Sequence, residues 1–227
     1  MDKESIDPII EELFKANVHL GHKKNRIHPK AKKYIYKMIN GTGIIDLSQT
    51  AIQFASAKKY LKELAKENKL LLVVATKKII GNYVAEYCDK NNIFYITSKW
   101  PPGLLTNFET IMKNVKKLNK LEDDKKNNAW EKFVKHEVVK LEKEIFKLKK
   151  IYKGITKLEK KPDALLIIDI KHEKNAVKEA KGNLLPIIAI SDTNSNPETV
   201  NFPIVGNDDS ASSLEYLIKE LLESYKK

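Results

Sequence analysis

Three histidines that stand close together near the amino terminus are the first residues that could do chemistry. His19, His22 and His28 could ligate a metal, but the sequence beside them supplies no cysteine or carboxylate at ligand spacing. The surrounding residues 13–45 contain no aspartate or glutamate. They do contain eight cations, which are Lys15, Lys23, Lys24, Arg26, Lys30, Lys32, Lys33 and Lys37. In this basic arm (residues 13–45), histidines are better suited to contacting phosphate or stacking on bases, and no metal site is expected.

Carboxylates at the ends of predicted strands offer the alternative chemistry of an enzyme. Asp169 and His172 could form an acid–base pair, and together with Asp192 they could act on a phosphorylated ligand. Aspartates at strand ends also close turns and cap helices. The sequence contains neither of the glycine-rich phosphate-binding motifs GxxxxGK[ST] and GxGxxG. No glycine-rich turn follows the predicted strand that ends at Ala75. The sequence therefore favours turn and capping roles, and we expect no enzyme and no cofactor.

A rigid loop is predicted at residues 98–107, whose sequence is SKWPPGLLTN. Its candidate ligand-binding side chains are Lys99, Trp100, Thr106 and Asn107. Hydroxyl and amide groups can bond to sugar and phosphate, and an aromatic ring can stack on a base. The Trp100 ring could equally fill the core where the chain leaves the sheet. Both interpretations of Trp100 stand at this point.

The composition favours a polyanionic partner. Lys and Arg outnumber Asp and Glu by 42 to 30, which gives a formal net charge of +12 at pH 7. Arg26 is the only arginine, and lysine supplies a point charge where arginine would read guanine bidentately. This bias suits contact with a phosphate backbone, although an AT-rich genome would also produce it.

The single cysteine and the apolar runs exclude other classes of protein. Cys88 cannot form a disulfide framework or a thiolate cluster, and its place on a predicted helix favours a buried structural thiol over a nucleophile. No apolar run approaches the roughly 18 residues that a transmembrane helix needs. The amino terminus is polar, so no secretory segment is expected.

The elements that must position these residues alternate between helix and strand. Continuous apolar runs at residues 70–75, 93–97, 164–168, 186–190 and 204–205 predict strands, and amphipathic segments at residues 49–67, 79–90, 175–181 and 210–225 predict helices. A further helix is predicted at residues 5–17 and a short strand at 44–45. Buried strands that alternate with helices predict an α/β fold with a parallel sheet covered on both faces.

A stretch without strand character interrupts this alternation. Residues 108–152 carry apolar side chains at spacings of three and four on both sides of a polar turn at 122–128. This pattern predicts an antiparallel helical hairpin with a coiled-coil seam. The seam residues expected on the second helix include Phe133 and Val134. The predicted domains are therefore a sheet domain of residues 1–107 and 154–227 and an inserted hairpin of residues 108–153.

Short motifs in a fixed order resemble the S2 family of small-subunit ribosomal proteins over nearly the whole chain. They are LFKANVHLGH at 13–22, Pro29-Lys30, GIIDL at 43–47, ATKK at 75–78, LTNF at 105–108, Pro162-Asp163-Ala164, Ile168-Asp169, Asp192-Thr193-Asn194, Pro197 and GNDD at 206–209. Each motif alone is weak, but their order is specific.

The resemblance implies a flavodoxin-like doubly wound parallel sheet with an inserted helical hairpin of the bacterial or organellar type. It also implies a structural constituent of the small ribosomal subunit that contacts rRNA and neighbouring ribosomal proteins. The large mRNA-binding ribosomal protein is a further partner that it implies. The expected location is the ribosome of bacterial cytoplasm or of an organelle, with no membrane and no homo-oligomer.

The side chains expected to contact rRNA lie in the arm, the loop and the hairpin. They are His19, His22, Lys23, Lys24, Arg26, His28, Lys30, Lys32, Lys33, Lys37, Lys99, Trp100, Thr106, Asn107, Lys113 and Lys116. Two rival functions remain open from the sequence. One is an enzyme that uses Asp169, His172 and Asp192, and the other is an RNA-binding factor that only visits the ribosome.

Overall fold

The computed structural model describes residues 3–226, so residues 1, 2 and 227 of the predicted sheet domain lie outside the described residues. In chain order the elements are α1 (Lys3–Lys15), β1 (Leu20–Lys23), β2 (Ile35–Ile39), β3 (Thr42–Ile45), α2 (Leu47–Lys66), β4 (Leu71–Val74), α3 (Lys78–Asn91), β5 (Phe94–Ile96), α4 (Phe108–Lys126), α5 (Lys135–Tyr152), β6 (Ala164–Ile168), α6 (Lys174–Gly182), β7 (Ile187–Ser191), β8 (Phe202–Val205) and α7 (Ala211–Tyr225). The predicted helices and strands are all present, with ends that differ by at most two residues outside the hairpin, whose turn lies at residues 127–134 rather than at 122–128.

Five parallel strands form the main sheet in the order β5-β4-β6-β7-β8. Counted along the chain these strands run 2-1-3-4-5, which is the flavodoxin-like order. The order reverses between β4 and β6, and folds of this kind bind their ligands in the crevice at the carboxyl ends of such strands. The expected flavodoxin-like α/β fold is confirmed.

The apolar strands are buried because helices cover both faces of the sheet. Leu71 and Val73 of β4 point into one core, which α2, α3 and α7 complete. Leu72 and Val74 point into a second core, to which α4 and α6 contribute. Successive side chains of a strand face opposite ways, so β4 must be apolar at every position to serve both cores.

A second, three-stranded antiparallel sheet of order β1-β3-β2 is built from the basic arm. The sequence predicted only a strand at residues 44–45 here, which is part of β3. The arm is joined to the main domain through α2, whose first turn is capped by Asp46. Its Oδ1 atom accepts the Ser48 backbone N–H at 3.0 Å.

Helices α4 and α5 form the predicted helical hairpin. Ion pairs cross between them from Lys125 to Glu142 at 2.7 Å and from Lys149 to Glu122 at 2.8 Å, so the helices run antiparallel. The expected seam is wrong at its tip, because Phe133 and Val134 precede α5 and are exposed.

The base of the hairpin is continuous with the core. Ile111, Val115 and Leu118 of α4 are buried in the same cluster as Leu72 and Val74 of β4. The coiled coil and the division into two domains therefore stay predictions.

Candidate nucleic-acid interface

Seven of the eight cations of the basic arm lie on the surface of the small sheet and of the turns that connect its strands, and the eighth, Lys15, ends α1. Lys23 ends β1, Lys24 and Arg26 lie in the next turn, and Lys37 lies on β2. Lys30, Lys32 and Lys33 belong to a six-residue 3-10 helix, Pro29–Tyr34. All seven side chains are exposed. The structure thus gathers the predicted arm cations on one small substructure.

Backbone hydrogen bonds fix this arm to the carboxyl edge of the main sheet. The backbone N–H of His28 donates to the Thr193 carbonyl at 2.8 Å, and that of His22 donates to Thr193 Oγ1 at 2.9 Å. Gly21 permits the approach, because a Cβ there would lie 2.9 Å from both the Gly43 carbonyl oxygen and the Thr193 methyl group. The arm is consequently held in one orientation rather than tethered loosely.

Three of the arm lysines already have a carboxylate partner, and one of them is Lys15, whose Nζ atom lies 3.9 Å from Glu11 Oε2. Glu198 lies 2.8 Å from Lys33 Nζ and 3.1 Å from Lys30 Nζ. These hydrogen bonds, that from Lys33 first, lower the pKa of Glu198 below its ordinary value. Within residues 3–226, the arm cations that form no ion pair are Lys23, Lys24, Arg26, Lys32 and Lys37.

The three arm histidines have different surroundings. The His19 ring stacks on Phe14 with centroids 4.3 Å apart and is half-buried. His28 Nδ1 accepts the Lys30 backbone N–H at 3.1 Å and so caps the 3-10 helix. The side chain of His22 is only 10% exposed, because it turns toward the carboxyl edge of the sheet. The His22 ring therefore faces carboxylates of the protein and has little surface left for the predicted contact with RNA.

His22 lies in a cluster with carboxylates that are remote in sequence. Its Nδ1 atom is 3.1 Å from Asp192 Oδ1, and its Nε2 atom is 3.5 Å from Asp209 Oδ2. The hydrogen bond with Asp192 raises the pKa of His22 above its ordinary value. One ligand atom from each of the three residues lies within 4.8 Å of the others, so the set could hold a divalent cation. Because Asp192 and Asp209 are remote in sequence, the search for ligands beside the three histidines did not find this set.

Lys77 occupies the centre of the same edge of the sheet. Its Nζ atom lies 2.6 Å from Asp208, 2.9 Å from Asp169 and 3.0 Å from Asp209. Burial opposes charge on Lys77, but the Asp208 and Asp169 carboxylates outweigh it and raise the pKa of Lys77. Burial, reinforced by Asp169 and Asp192, raises the pKa of Asp208 to about 7.

The ligand crevice of the fold is filled by the protein's own side chains. Glu173 accepts the Thr76 backbone N–H at 3.2 Å and also the Thr76 hydroxyl, so the amide that would face a phosphate is occupied. Asp169 Oδ1 accepts the N–H groups of Lys171 and His172, while its Oδ2 pairs with Lys77. The Asp169 carboxylate is thus engaged in a turn and an ion pair, which matches the predicted turn role.

The loop of residues 98–107 separates into a buried ring and an exposed end. Trp100 is 4% exposed, and its indole N–H donates to Glu179 Oε1 at 3.0 Å. Glu179 also accepts the backbone N–H groups of Gly103 at 2.8 Å and Leu105 at 3.1 Å. The ring lies in the core, in agreement with the second interpretation of Trp100, and has little surface left for the predicted contact with RNA. Three other loop candidates are exposed, and these are Lys99, Thr106 and Asn107.

The hairpin carries both paired and unpaired lysines. Lys125 and Lys149 are held by carboxylates of the opposite helix, whereas the predicted contacts Lys113 and Lys116 are exposed and form no ion pair within residues 3–226. A row of exposed, likewise unpaired lysines lies on α5, at Lys140, Lys143, Lys147 and Lys150. Our sequence interpretation missed this row, although its spacing of i, i+3, i+7 and i+10 marks one face of a helix.

Comparison with known proteins decides the class to which this arrangement belongs. The family model for ribosomal protein S2 matches residues 13–227. The chain belongs to the ribosomal protein S2 family. Among the relatives, the small ribosomal subunit protein uS2 of Dictyoglomus thermophilum is 40% identical over 216 residues, which cover 95% of this chain and 88% of that protein. The uS2c protein of Cyanophora paradoxa is 39% identical over 215 residues, which cover 95% of this chain and 92% of that protein.

Membership of the S2 family confirms the coarse function. The protein is a structural component of the small ribosomal subunit and not an enzyme, and its location on the ribosome is confirmed by relatives of the bacterial and plastid types. The rival enzyme hypothesis on Asp169, His172 and Asp192 is therefore wrong. In the described part of the chain, no helix combines the length and the apolar character needed to cross a bilayer.

Substitutions at the neighbouring residues Trp100 and Lys99 distinguish a role in stability from a role in RNA contact. Trp100→Phe removes the indole donor to Glu179 and leaves a gap, so we expect the free energy of unfolding to fall by about 2 kcal/mol. Lys99→Gln at an exposed position should change it by less than about 0.5 kcal/mol. Urea unfolding measures both. A Trp100→Phe protein that unfolds like the wild type but loses affinity for rRNA would contradict the assignment of Trp100 to the core.

Proposed function

We propose that the protein attaches to the small subunit by contacting rRNA phosphates, chiefly through the unpaired cations of its basic arm. No bond is made or broken in this role. The arm acts as a fixed array of positive charge that matches one shape of the RNA backbone. This proposal goes beyond the family's role as a structural component of the subunit.

The distribution of ion pairs is the observation that carries the proposal. Five exposed arm cations have no ion-pair partner within residues 3–226, and the arm itself contains no carboxylate. Unpaired lysines also occur on α2, α3 and α5, but carboxylates lie among them there, as the ion pairs of Lys58, Lys125 and Lys149 with glutamates show. Because backbone hydrogen bonds already fix the arm, binding to phosphate has to order the cationic side chains but not the backbone that carries them.

The loop and the hairpin extend the proposed contact. We include the exposed Lys99, Thr106 and Asn107 of the loop and Lys113 and Lys116 of α4. His19 and His28 lie within the arm and are included with it. Lys30 and Lys33 contribute less to phosphate binding, because both already form ion pairs with Glu198. Neighbouring ribosomal proteins follow as partners from membership of the subunit, whereas docking of the large mRNA-binding protein rests on the resemblance alone.

The salt dependence of association tests the proposal. The wild-type protein is titrated onto small-subunit particles prepared without it, at several concentrations of monovalent salt. Five phosphate contacts by the arm alone should give a plot of log K against log salt with a slope of about −4, because each contact releases counterions, and contacts by the lysines of the loop and the hairpin should make the slope steeper. Association that does not change with salt would contradict attachment through phosphates.

A further inference from the structure

An exposed tyrosine lies within the basic arm, and the sequence interpretation did not single it out. Tyr36 on β2 is 69% exposed, although β2 is part of a sheet. The Nζ atom of Lys37 lies over the Tyr36 ring, 5.5 Å from its centroid. An aromatic ring of this size usually buries much of its area, so its exposure on a rigid strand needs an explanation.

A β-bulge accounts for the position of Tyr36. Ile35 pairs with Ile45 of β3 and Lys37 pairs with Ile44, so two steps along β2 correspond to one step along β3. Tyr36 is the extra residue, and it has no partner in the register of the two strands. Bulges of this kind redirect a side chain and are common next to functional sites.

The surface beside Tyr36 combines apolar and cationic side chains. Cross-strand partners share a face of a sheet, which places Lys37 with Ile44 and Leu20, and Ile39 with Thr42 and Lys23. Leu20 is 40% exposed and Ile39 is 42% exposed.

The cationic neighbours favour a nucleic acid as the occupant. No carboxylate occurs in residues 13–45 that could balance Lys23 and Lys37. An apolar protein partner would leave these lysines without counter-charge, whereas an RNA strand supplies both a base to stack and phosphates to pair.

We propose that Tyr36 is a stacking platform for one unpaired rRNA base, with Lys37 beside it to neutralise an adjoining phosphate. The Lys37 ammonium covers part of one side of the ring, and the exposed remainder receives the base. The inference rests on the proposed function and specifies it, because it names the nucleotide state that the arm recognises. Stacking tolerates any base, so the platform selects for an unpaired nucleotide rather than for a sequence.

Two substitutions at Tyr36 test the platform. Tyr36→Leu keeps apolar bulk and removes the aromatic face, whereas Tyr36→Phe keeps the face and removes the hydroxyl group. Binding is measured on small-subunit particles prepared without the protein, and the rRNA bases are probed chemically in each complex. We expect Tyr36→Leu to raise Kd roughly 5- to 150-fold and Tyr36→Phe to bind like the wild type. One rRNA base should be protected by the wild type and by Tyr36→Phe but not by Tyr36→Leu.

The salt slope keeps this inference separate from the proposed function. Because the ring carries no charge, Tyr36→Leu should leave the slope of log K against log salt unchanged. A slope that flattens in arm-lysine variants would support the proposed function, whether or not Tyr36 stacks on a base. Wild-type affinity in Tyr36→Leu would overturn the platform. Equal losses in both variants would indicate a hydroxyl contact and overturn it. A loss with no change in the reactivity of any base would indicate a protein neighbour and also overturn it. Unchanged thermal unfolding verifies that each variant is folded.

Discussion

Replacing Lys77 with methionine is expected to lower the free energy of unfolding by about 3–5 kcal/mol. The Lys77 side chain is 16% exposed, and its ammonium group lies within 3.0 Å of carboxylate oxygens of Asp169, Asp208 and Asp209. Methionine fills a similar volume but leaves the buried Asp169 and Asp208 carboxylates without their cation. Urea unfolding followed by circular dichroism measures the change.

Lys78 provides the matched control for Lys77. It is the next residue, it is exposed, and it begins α3 without an ion pair in the described part of the chain. Lys78→Met should change the free energy of unfolding by less than about 0.5 kcal/mol. If the two variants were equally stable, the carboxyl edge of the sheet would not depend on Lys77, and our description of this cluster would be wrong.

Neutralising four unpaired arm cations is expected to flatten the salt dependence of binding to the small subunit. The variant replaces Lys23, Lys24, Arg26 and Lys32 with glutamine and leaves Lys37 in place. Each lost phosphate contact removes ~0.7–0.9 from the magnitude of the log–log slope, so we expect a decrease of about 3. Titration onto particles prepared without the protein, at several salt concentrations, measures it.

A control variant that loses the same charge elsewhere distinguishes an effect of the arm from an effect of net charge. Lys59, Lys62 and Lys66 of α2 and Lys90 of α3 are exposed, and they form no ion pair with a side chain that the structure describes, which leaves out the side chains of residues 1–7, 131 and 227. Their replacement with glutamine also removes four positive charges but should leave most of the slope intact. An equal decrease in both variants would mean that net charge, rather than the arm, drives association.

The main sheet was predictable because its signal is local. Each of β4, β6 and β7 is a continuous apolar run, and its burial on both faces requires that pattern. Cys88 is fully buried, as predicted for a structural thiol, and burial raises the pKa of its thiol to about 12. The strands β1 and β2 were missed because they are largely exposed and carry lysine, so neither a continuous nor an alternating apolar pattern marks them.

The candidate interface was predictable only where its residues are neighbours in sequence. The carboxylate-free arm is visible as a run, and the structure gathers its cations on one substructure. The partners of Trp100, His22 and Lys33 are 79, 170 and 165 residues away, so no local pattern could reveal them. Those partners decide that Trp100 and His22 are turned inward and that Lys33 is paired. Long-range pairing therefore separates the cations free to bind RNA from the rest.

Lysine acylation of the free protein and of assembled small subunits tests the role of the arm most directly. Mass spectrometry reports the reactivity of each lysine in the two states. We expect Lys23, Lys24, Lys32 and Lys37 to react readily in the free protein and to be protected in the subunit. Lysines of α2, such as Lys62, should be protected less. Arm lysines that remained as reactive in the subunit as in the free protein would contradict the proposal that they contact rRNA.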